Sequence, residues 1–594
     1  MGMRSQPGWG AEYQPDGAVR FRLWAPGQQH VALRIQGEDR AMDAEPEGWF
    51  SLQLPGIAHG AEYQYVLDDG TAVADPASRA QRDDVEGPSL VIDHRNWQWQ
   101  DQQWQGRPWE ETVTYELHVG TFTPAGTFAA AREKLPELAA LGITVIELLP
   151  LSHFGGSRGW GYDGVLLYAP HAAYGSVEEV KAFVDAAHQL GLSVVLDIVL
   201  NHFGPQGNYL PLLAPDFFHA DRITPWGAGI AYEHAPVRDY MLHAPLYWLQ
   251  EYHFDGLRFD AIDQIKDASS KHILVEIAEH IRAAIPQRAL HLTTEDNRNV
   301  IFLHPRAADG SFPLFNGEWN DDFHNAAHVL ATGETHGYYQ DFAEQPEKLL
   351  ARTLAEGFAW QGEFSPHSGE PRGVKSSGQP PTTFVNFIQN HDQTGNRAHG
   401  ERLLSLAGVE RTQALLATLL LSPHIPLLFM GEEYGETRPF LFFTDFTGEL
   451  ARAVREGRAR EFAGHSGHEG EDVPDPNAVT TFTDSRLDWQ RRASAEGTAW
   501  LALTQQLLAL RRQHIIPHLA GVRGNSGTVL AAEDGFLAVS WQFAGGQLSL
   551  ALNLGPHPQS IGEIRGETLF ALPAETDTLA PNGVIVRFAP REVA

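Results

Sequence analysis

Length, charge and composition narrow what this chain can be. With 594 residues it is too long for one simple core, which predicts two to four domains. The lack of cysteine excludes disulfides, thiolate catalysis and cysteine-ligated zinc. A net charge of −32 argues against nucleic acid or an anionic membrane as a partner. The N-terminal sequence MGMRSQPGWG has no apolar run typical of a secretion signal, so we expect a cytoplasmic protein.

The first segment of the chain has the pattern of a small β domain. Stretches such as AVRFRLWAP and AEYQYVLDDG alternate apolar and polar residues between turn-forming residues, which is typical of antiparallel strands. We predict a small antiparallel β domain over residues 1–95. A Trp- and Gln-rich linker is predicted over residues 96–110.

A repeated alternation of strand and helix begins near residue 111. The capping box at Ser176-Val-Glu-Glu179 predicts a helix start, and Gly191 predicts its end. The alternation predicts an α/β fold, a (β/α)₈ TIM barrel, over residues 111–515. Its strands are predicted over Thr112–His118, Thr144–Leu149, Ser193–Asn201, Gly256–Asp260, Leu290–Glu295, Phe312–Trp319, Thr383–Asn390 and Ile425–Met430.

Two further segments complete the predicted organisation. A polar, Gly-rich stretch over residues 448–484 is predicted as a long loop within the barrel domain. Residues 516–594 contain the strand-like runs AVSWQF, QLSLALNL and GVIVRFA, which predict a C-terminal antiparallel β domain.

Carboxylates stand at the ends of several predicted barrel strands. Asp260, Glu295 and Asp392 each follow an apolar run, and a fourth run carries Asp197. One such residue alone is more commonly a cap or a turn residue. Together they meet at the face of the barrel where TIM-barrel active sites lie. Paired carboxylates there suit glycoside hydrolysis, in which an acid protonates the leaving oxygen and an anion meets the oxocarbenium-like carbon.

The neighbours of these carboxylates suggest separate roles. Arg258 lies two residues before Asp260 on the same side of the strand, so its charge is expected to keep Asp260 ionised as a nucleophile. Glu295 is the better proton donor. Asp392 is placed to accept hydrogen bonds from sugar hydroxyls, and His202 and His391 are neutral donors suited to the same hydroxyls. Asp197 is interpreted as an internal hydrogen-bond anchor rather than as a reacting group.

The four stretches DIVLNH, GLRFD, HLTTE and NHD resemble the signature regions of the α-amylase family of glycoside hydrolases. The resemblance implies a retaining mechanism with Asp260 as nucleophile, Glu295 as general acid/base and Asp392 as transition-state stabiliser. It implies that Arg258, His202 and His391 surround the cleaved glucosyl unit, and Asp197 is predicted to support this substrate-binding site. It also matches Tyr162, in RGWGYDG, to the aromatic residue that stacks on the cleaved sugar; without the resemblance, a core tyrosine in a Gly-framed loop is the simpler interpretation.

Other stretches, such as LPLSHFGGSRGWGYDG and EWNDDFHNAAH, resemble the trehalose-releasing members of that family. The FRLWAP segment resembles the β-sandwich that precedes the barrel in such enzymes, which implies a β-sandwich like a carbohydrate-binding module over residues 1–95. The resemblance implies cleavage of the α-1,4 bond next to the terminal trehalose of maltooligosyltrehalose. It implies no cofactor and a maltooligosyltrehalose synthase as pathway partner, without a stable complex. It also implies a substrate-contacting stretch, for which a helix N-cap is the alternative, comprising Asn320, Asp321, Asp322, Phe323 and His324.

The segment after the predicted nucleophile departs from many α-amylases. They carry Lys-His there, whereas this chain has Ala-Ile-Asp263, so a different leaving-group side is expected and Asp263 is a predicted substrate contact. No further ligands accompany Asn201, so we predict a structural Asn201 and no metal site.

Two other functions are compatible with these patterns. A glycogen branching enzyme, which transfers glucan to a sugar hydroxyl, would carry the same four motifs. A non-catalytic amylase-like module that binds glucan is the other, although such modules usually lose a carboxylate and this chain keeps all three.

Overall fold

The computed structural model describes residues 8–463, 473–562, 564–574 and 577–591. In this part of the chain eight parallel strands close into a barrel in sequence order, with the eighth strand paired to the first. The predicted (β/α)₈ fold is confirmed. The strands are shorter than predicted because the chain turns away at the barrel mouth, and they comprise Thr114–Leu117, Val145–Leu148, Ser193–Ile198, Gly256–Phe259, His291–Thr294, Gly317–Trp319, Phe384–Asn386 and Ile425–Phe429.

Charged side chains stand on the barrel strands even though every residue of these strands is buried. Glu116 lies opposite Glu147 on the first two strands, and Asp197 lies opposite Arg258 on the third and fourth. All four are at most 4% exposed. Buried charges are stable only when they are paired or neutralised, so these residues indicate a functional network within the barrel.

Helices surround the barrel where the sequence predicts them. The capping box is confirmed, since the Glu179 amide donates to the Ser176 hydroxyl and the Ser176 amide donates to the Glu179 carboxylate. The longer helices are Leu135–Leu141, Val177–Gln189, Ala235–Glu251, Ile273–Ala284, Asp321–Thr332, Pro346–Glu356, Val409–Leu420 and Ala495–Leu510.

The predicted long loop late in the barrel domain is wrong in the part that the structure describes. Helices occupy Gly448–Phe462 and Val479–Asp484, while residues 464–472 lie outside the described residues. The first helix is polar on most of its surface, which is why its composition suggested a loop. Its Arg458 is buried and donates to the Gly395 carbonyl at 3.0 Å, a tertiary contact that no local pattern reveals.

The N-terminal segment forms two antiparallel sheets that share one core. Phe21 and Tyr63, one from each sheet, have ring centroids 5.0 Å apart. Trp9 packs its ring 5.2 Å from that of Tyr240 on a barrel helix, which joins this β-sandwich to the barrel. The strands are Gly10–Tyr13, Val19–Trp24, Ala32–Ile35, Glu38–Ala41, Asp43–Ala44, Trp49–Leu54, Glu62–Val66, Ala72–Val73 and Ser89–Leu90.

The C-terminal segment forms a five-stranded antiparallel sheet in the residues described. The Trp541 indole N–H donates to the Leu354 carbonyl at 2.8 Å, which ties this sheet to a barrel helix. Among all described residues, no helix combines the length and apolar character needed to cross a membrane. The strands of the sheet are Gly527–Glu533, Phe536–Phe543, Gly546–Asn553, Glu567–Leu572 and Gly583–Pro590.

Candidate active site

A cleft opens at the carboxyl ends of the barrel strands. Its cavity volume is about 420 Å³. Residues predicted as site residues lie together on its walls, although they come from loops after five different strands: Tyr162, His202, Asp260, Asp263, Glu295, His391 and Asp392. Trp160, Asp163, Trp226 and Asn396 complete much of the lining.

The guanidinium group of Arg258 is the electrostatic centre of the cleft floor. Its Nη1 lies 2.8 Å from Asp197 Oδ2 and 2.9 Å from Asp260 Oδ1, and its Nη2 lies 3.3 Å from Glu295 Oε2. Its Cζ stands 4.0 Å above the ring of Trp319, which supports the guanidinium plane from behind. One buried cation therefore contacts three carboxylates, and these contacts fix the positions of the carboxylates relative to one another.

Asp260 is held from two sides in a geometry that suits a nucleophile. Arg258 binds Oδ1, whereas Asn201 Nδ2 donates to Oδ2 at 3.1 Å and to the Asp260 backbone carbonyl at 3.0 Å. Asn201 thus has the structural role that the sequence predicts. The donors on its two oxygens fix the orientation of the Asp260 carboxylate, as an attacking group requires.

Glu295 directly follows the next strand, His291–Thr294, and its side chain is mostly buried. Burial raises its pKa well above the usual range, and the nearby Arg258 opposes this shift only in part. Its Oε2 accepts the Ala261 amide N–H at 2.7 Å, which leaves Oε1 to carry a proton. Ala261 adopts a left-handed conformation with φ 42° to direct that amide. Such strain at a non-glycine residue costs about 1–3 kcal/mol and is common at active sites.

A hydrogen-bonded chain leads from the barrel interior to the cleft. Glu116 binds both the amide and Nδ1 of His391, each at 2.8 Å. Nε2 of His391 lies 2.8 Å from the Tyr162 hydroxyl, which lies 2.6 Å from Asp197 Oδ2. Burial lowers the pKa of His391, but Glu116 outweighs it, so the net shift is upward. Burial also raises the pKa of Asp197, to about 7, against the effect of Arg258.

Tyr162 owes its position to a close backbone approach. Gly161 has φ 103°, and a Cβ there would lie 2.2 Å from the Pro150 carbonyl oxygen. Only glycine fits this turn, which brings the Tyr162 ring against the imidazole of His391, with centroids 5.2 Å apart. The aromatic wall is therefore fixed before a ligand arrives.

His202 and Asp392 are also held by their neighbours. His202 Nε2 lies 2.7 Å from the Tyr162 carbonyl, and the Trp226 ring stacks on the imidazole at 4.6 Å. Asp392 Oδ1 accepts from Asn396 Nδ2 at 2.5 Å. Burial lowers the pKa of His202, which favours the neutral imidazole.

The stretch from Asn320 to His324 divides between the cleft and the interior. Asp321 lines a side cavity of about 390 Å³ that adjoins the main cleft, and burial raises its pKa to about 7. The other four residues are enclosed within the fold and do not reach either cavity. Asn320 Nδ2 donates to the Gly357 carbonyl at 2.7 Å, and His324 contacts the Ile388 carbonyl at 2.8 Å. The structure therefore brings only Asp321 of this stretch to a place where a sugar could touch it.

Sequence reasoning missed several residues of the site. Glu116 lies within a predicted strand, but its contact with His391 spans 275 positions and leaves no local signal. Asp163 follows Tyr162 and lines the cleft, and burial raises its pKa to about 6. An acidic residue beside a predicted stacking tyrosine is the one signal that was available for it.

Comparison with known proteins agrees with this geometry. The model of the alpha amylase catalytic domain matches residues 90–211, and that of a domain of unknown function, DUF3459, matches residues 523–593. The chain is 42% identical to the malto-oligosyltrehalose trehalohydrolase of Deinococcus radiodurans, over 94% of this chain and 91% of that one.

Two further relatives extend the agreement. The malto-oligosyltrehalose trehalohydrolase of Rhizobium sp. (strain M-11) is 40% identical, with 97% of each chain covered. A crystal structure described as an alpha amylase from Salmonella typhimurium is 64% identical, with a TM-score of 0.97 over 98% of this chain and all of that one. The similarity thus extends across both flanking β segments as well as the barrel.

Proposed function

The chain belongs to the malto-oligosyltrehalose trehalohydrolase family of α-amylase-type glycoside hydrolases, and we propose how its cleft residues perform the reaction. The enzyme hydrolyses the α-1,4-glucosidic bond next to the terminal trehalose of maltooligosyltrehalose, releasing trehalose and a maltooligosaccharide. The substrate is assigned from the names of relatives that match nearly the whole chain. The grouping of Asp260 and Glu295 around Arg258 supports the chemistry.

In the first step, Glu295 gives its proton to the glycosidic oxygen while Asp260 attacks the anomeric carbon. The bond between that carbon and the leaving oxygen breaks, and trehalose departs with the proton. A glucosyl ester of β configuration then joins the maltooligosaccharide to Asp260. The raised pKa of Glu295 supports the role of proton donor at neutral pH.

In the second step, Glu295 has become a carboxylate and takes a proton from water. The water oxygen attacks the anomeric carbon and Asp260 leaves with its electron pair. Two inversions give a product of α configuration. The Ala261 amide and Arg258, which both contact Oε2 of Glu295, favour this charged state once trehalose has left.

The remaining cleft residues act on the sugar between the two carboxylates. Asp392 is assigned to accept hydrogen bonds from its hydroxyls, which strengthen as the ring distorts towards the oxocarbenium ion. Tyr162 provides the flat surface for the ring. His202 borders the sugar with the ring itself, because its Nδ1 lies 2.5 Å from Asn201 Oδ1 and its Nε2 lies 2.7 Å from the Tyr162 carbonyl. Asp263 is assigned to the leaving-group side. Asp197 does not touch the sugar in this proposal, because Arg258 and Tyr162 occupy its Oδ2.

The experiment that tests this function is incubation of the purified enzyme with maltotriosyltrehalose, followed by chromatography of the products. We expect trehalose and maltotriose in equal amounts. Formation of branched glucan from amylose, without free trehalose, would instead indicate the transferase. Binding of the glucan without any turnover would indicate a non-catalytic module.

The setting of the reaction is also proposed. The substrate carries a trehalose end, so a maltooligosyltrehalose synthase must act before this enzyme, and we propose that the two form no stable complex in the cytoplasm. Sedimentation of the two purified proteins together tests the first part. A joint faster-moving species would contradict it.

A further inference from the structure

A buried carboxylate stands behind the side cavity and faces away from it. Asp322 lies in the first turn of the helix Asp321–Thr332 and has no exposed surface. Its Oδ2 accepts the amides of Ala359 at 2.9 Å and Trp360 at 3.0 Å, and the side-chain amide of Asn299 at 2.8 Å. These donors belong to two separate loops, so this one oxygen holds the loops together.

The other oxygen of Asp322 binds an arginine that does reach the cavity. Arg372 Nη2 lies 3.0 Å from Asp322 Oδ1, and Arg372 Nε donates to the Asn297 carbonyl at 3.0 Å. Asn297 is two residues beyond Glu295 and lines both the main cleft and the side cavity. Arg372 therefore ties its own loop to the loop that carries the proposed acid.

These loops form one wall, which we call the leaving-group wall and define as residues 296–299 and 359–374. The acid protonates the leaving oxygen, so the departing sugars must lie on the side of the loop that follows Glu295. The side cavity continues from the main cleft on that side, through Asn297 and Asp392. Seven residues of the wall between Ser365 and Gly373, Arg372 among them, line this cavity, together with Arg298 and Asp321.

We propose that Arg372, held in place by Asp322, is a positioning residue that sets the leaving-group wall and so the preference for a trehalose leaving group. The inference rests on the proposed function, because that function defines which sugars leave. Asp322 acts through Arg372 and the loop amides, since its burial excludes contact with substrate. Trehalose and maltose have the same composition and differ in linkage and shape, so a wall with a fixed shape can distinguish them.

The test compares two substrates of equal length, maltotriosyltrehalose and maltopentaose, in Arg372→Gln and Asp322→Asn. Arg22→Gln is the matched control, because Arg22 also pairs with a carboxylate, Glu45 at 3.1 Å, but lies on a strand of the N-terminal β-sandwich, outside the wall and outside both cavities. The readouts are KM, kcat and the ratio of kcat/KM for the two substrates. Because the side chain of Arg372 is partly exposed, Arg372→Gln can be tested even if Asp322→Asn fails to fold.

We expect the ratio to fall about tenfold in both variants, through a higher KM for maltotriosyltrehalose and a kcat within about threefold of wild type. The control should keep the wild-type ratio. Equal losses on both substrates, or an unchanged ratio in folded Arg372→Gln, would overturn the inference alone. A wild-type enzyme that released no trehalose would overturn the proposed function, and the inference with it.

Discussion

Replacing Arg258 by lysine tests the electrostatic centre of the cleft. Lysine keeps the positive charge but has a single nitrogen, so it cannot reproduce both arms of the guanidinium. The arm that contacts Glu295 at 3.3 Å would be lost, and so would the flat contact with Trp319. The variant therefore separates the charge of Arg258 from its geometry.

The expected loss follows from the contacts that disappear. A hydrogen bond or ion pair to a charged group contributes about 1.5–3 kcal/mol. At about 1.4 kcal/mol for each tenfold change, Arg258→Lys should lower kcat/KM by about 10- to 150-fold. In the wild type the charge of Arg258 partly offsets the rise in the pKa of Glu295 caused by burial. Once the guanidinium arm beside Glu295 is lost, this offset weakens and the pKa of Glu295 should rise further. Because the acid must be protonated, the alkaline limb of the rate profile should move to higher pH.

The assay is the pH dependence of trehalose release, with Arg511→Lys as control. Arg511 is fully buried and donates to the carbonyls of Leu420, Ser422 and His424, just before the eighth strand and thus at the end of the barrel opposite the cleft. Its replacement should affect stability and leave the alkaline limb in place. Activity of Arg258→Lys within threefold of wild type, with an unmoved alkaline limb, would refute the reasoning.

Three further predictions concern single side chains. Tyr162→Phe keeps the ring but loses the hydroxyl contacts with Asp197 and His391. In steady-state assays kcat/KM should fall about tenfold, as expected for the loss of one net hydrogen bond. An unchanged kcat/KM would mean that the hydroxyl does not contribute to catalysis. Glu295→Gln should lose the alkaline limb of the pH profile. With an activated aryl glycoside, which needs no acid to leave, azide should restore turnover because it attacks the glucosyl-enzyme without a general base. A variant that azide does not activate would count against Glu295 as the base. Burial raises the pKa of Glu147 well above its value in the unfolded chain, so folding takes up a proton and stability falls as pH rises between the two values. Glu147→Gln should therefore unfold at a higher temperature than wild type at pH 8 with little difference near pH 4, and equal midpoints at pH 8 would contradict this.

The sequence predicts the barrel well because its signals are local. Apolar runs, helix caps such as Ser176 and stop residues such as Gly191 each depend on a few neighbouring positions. The helix Gly448–Phe462 was missed for the opposite reason, since its buried Arg458 contacts a distant loop. The domain bounds 1–95, 96–110, 111–515 and 516–594 stay predictions.

Position at a strand end predicted the two central carboxylates, whereas loop residues such as Tyr162 were matched to the site through the family resemblance. Asp260 and Glu295 are these carboxylates, and the register of adjacent strands places them on one cation. Asp322 was predicted to contact substrate from its neighbours in sequence, but the first helical turn directs it inwards while Asp321 faces the cavity. Sequence spacing alone cannot assign the two directions, because the helix orientation is set by tertiary packing.

The most direct test of the account is a proton NMR time course of maltotriosyltrehalose hydrolysis, recorded before the new reducing end mutarotates. The proposed roles of Asp260 and Glu295 predict free trehalose together with maltotriose that appears first as its α anomer. Maltotriose that appears first as its β anomer would contradict the glucosyl-enzyme on Asp260. Sugars other than trehalose as the leaving product would contradict the assigned substrate bond.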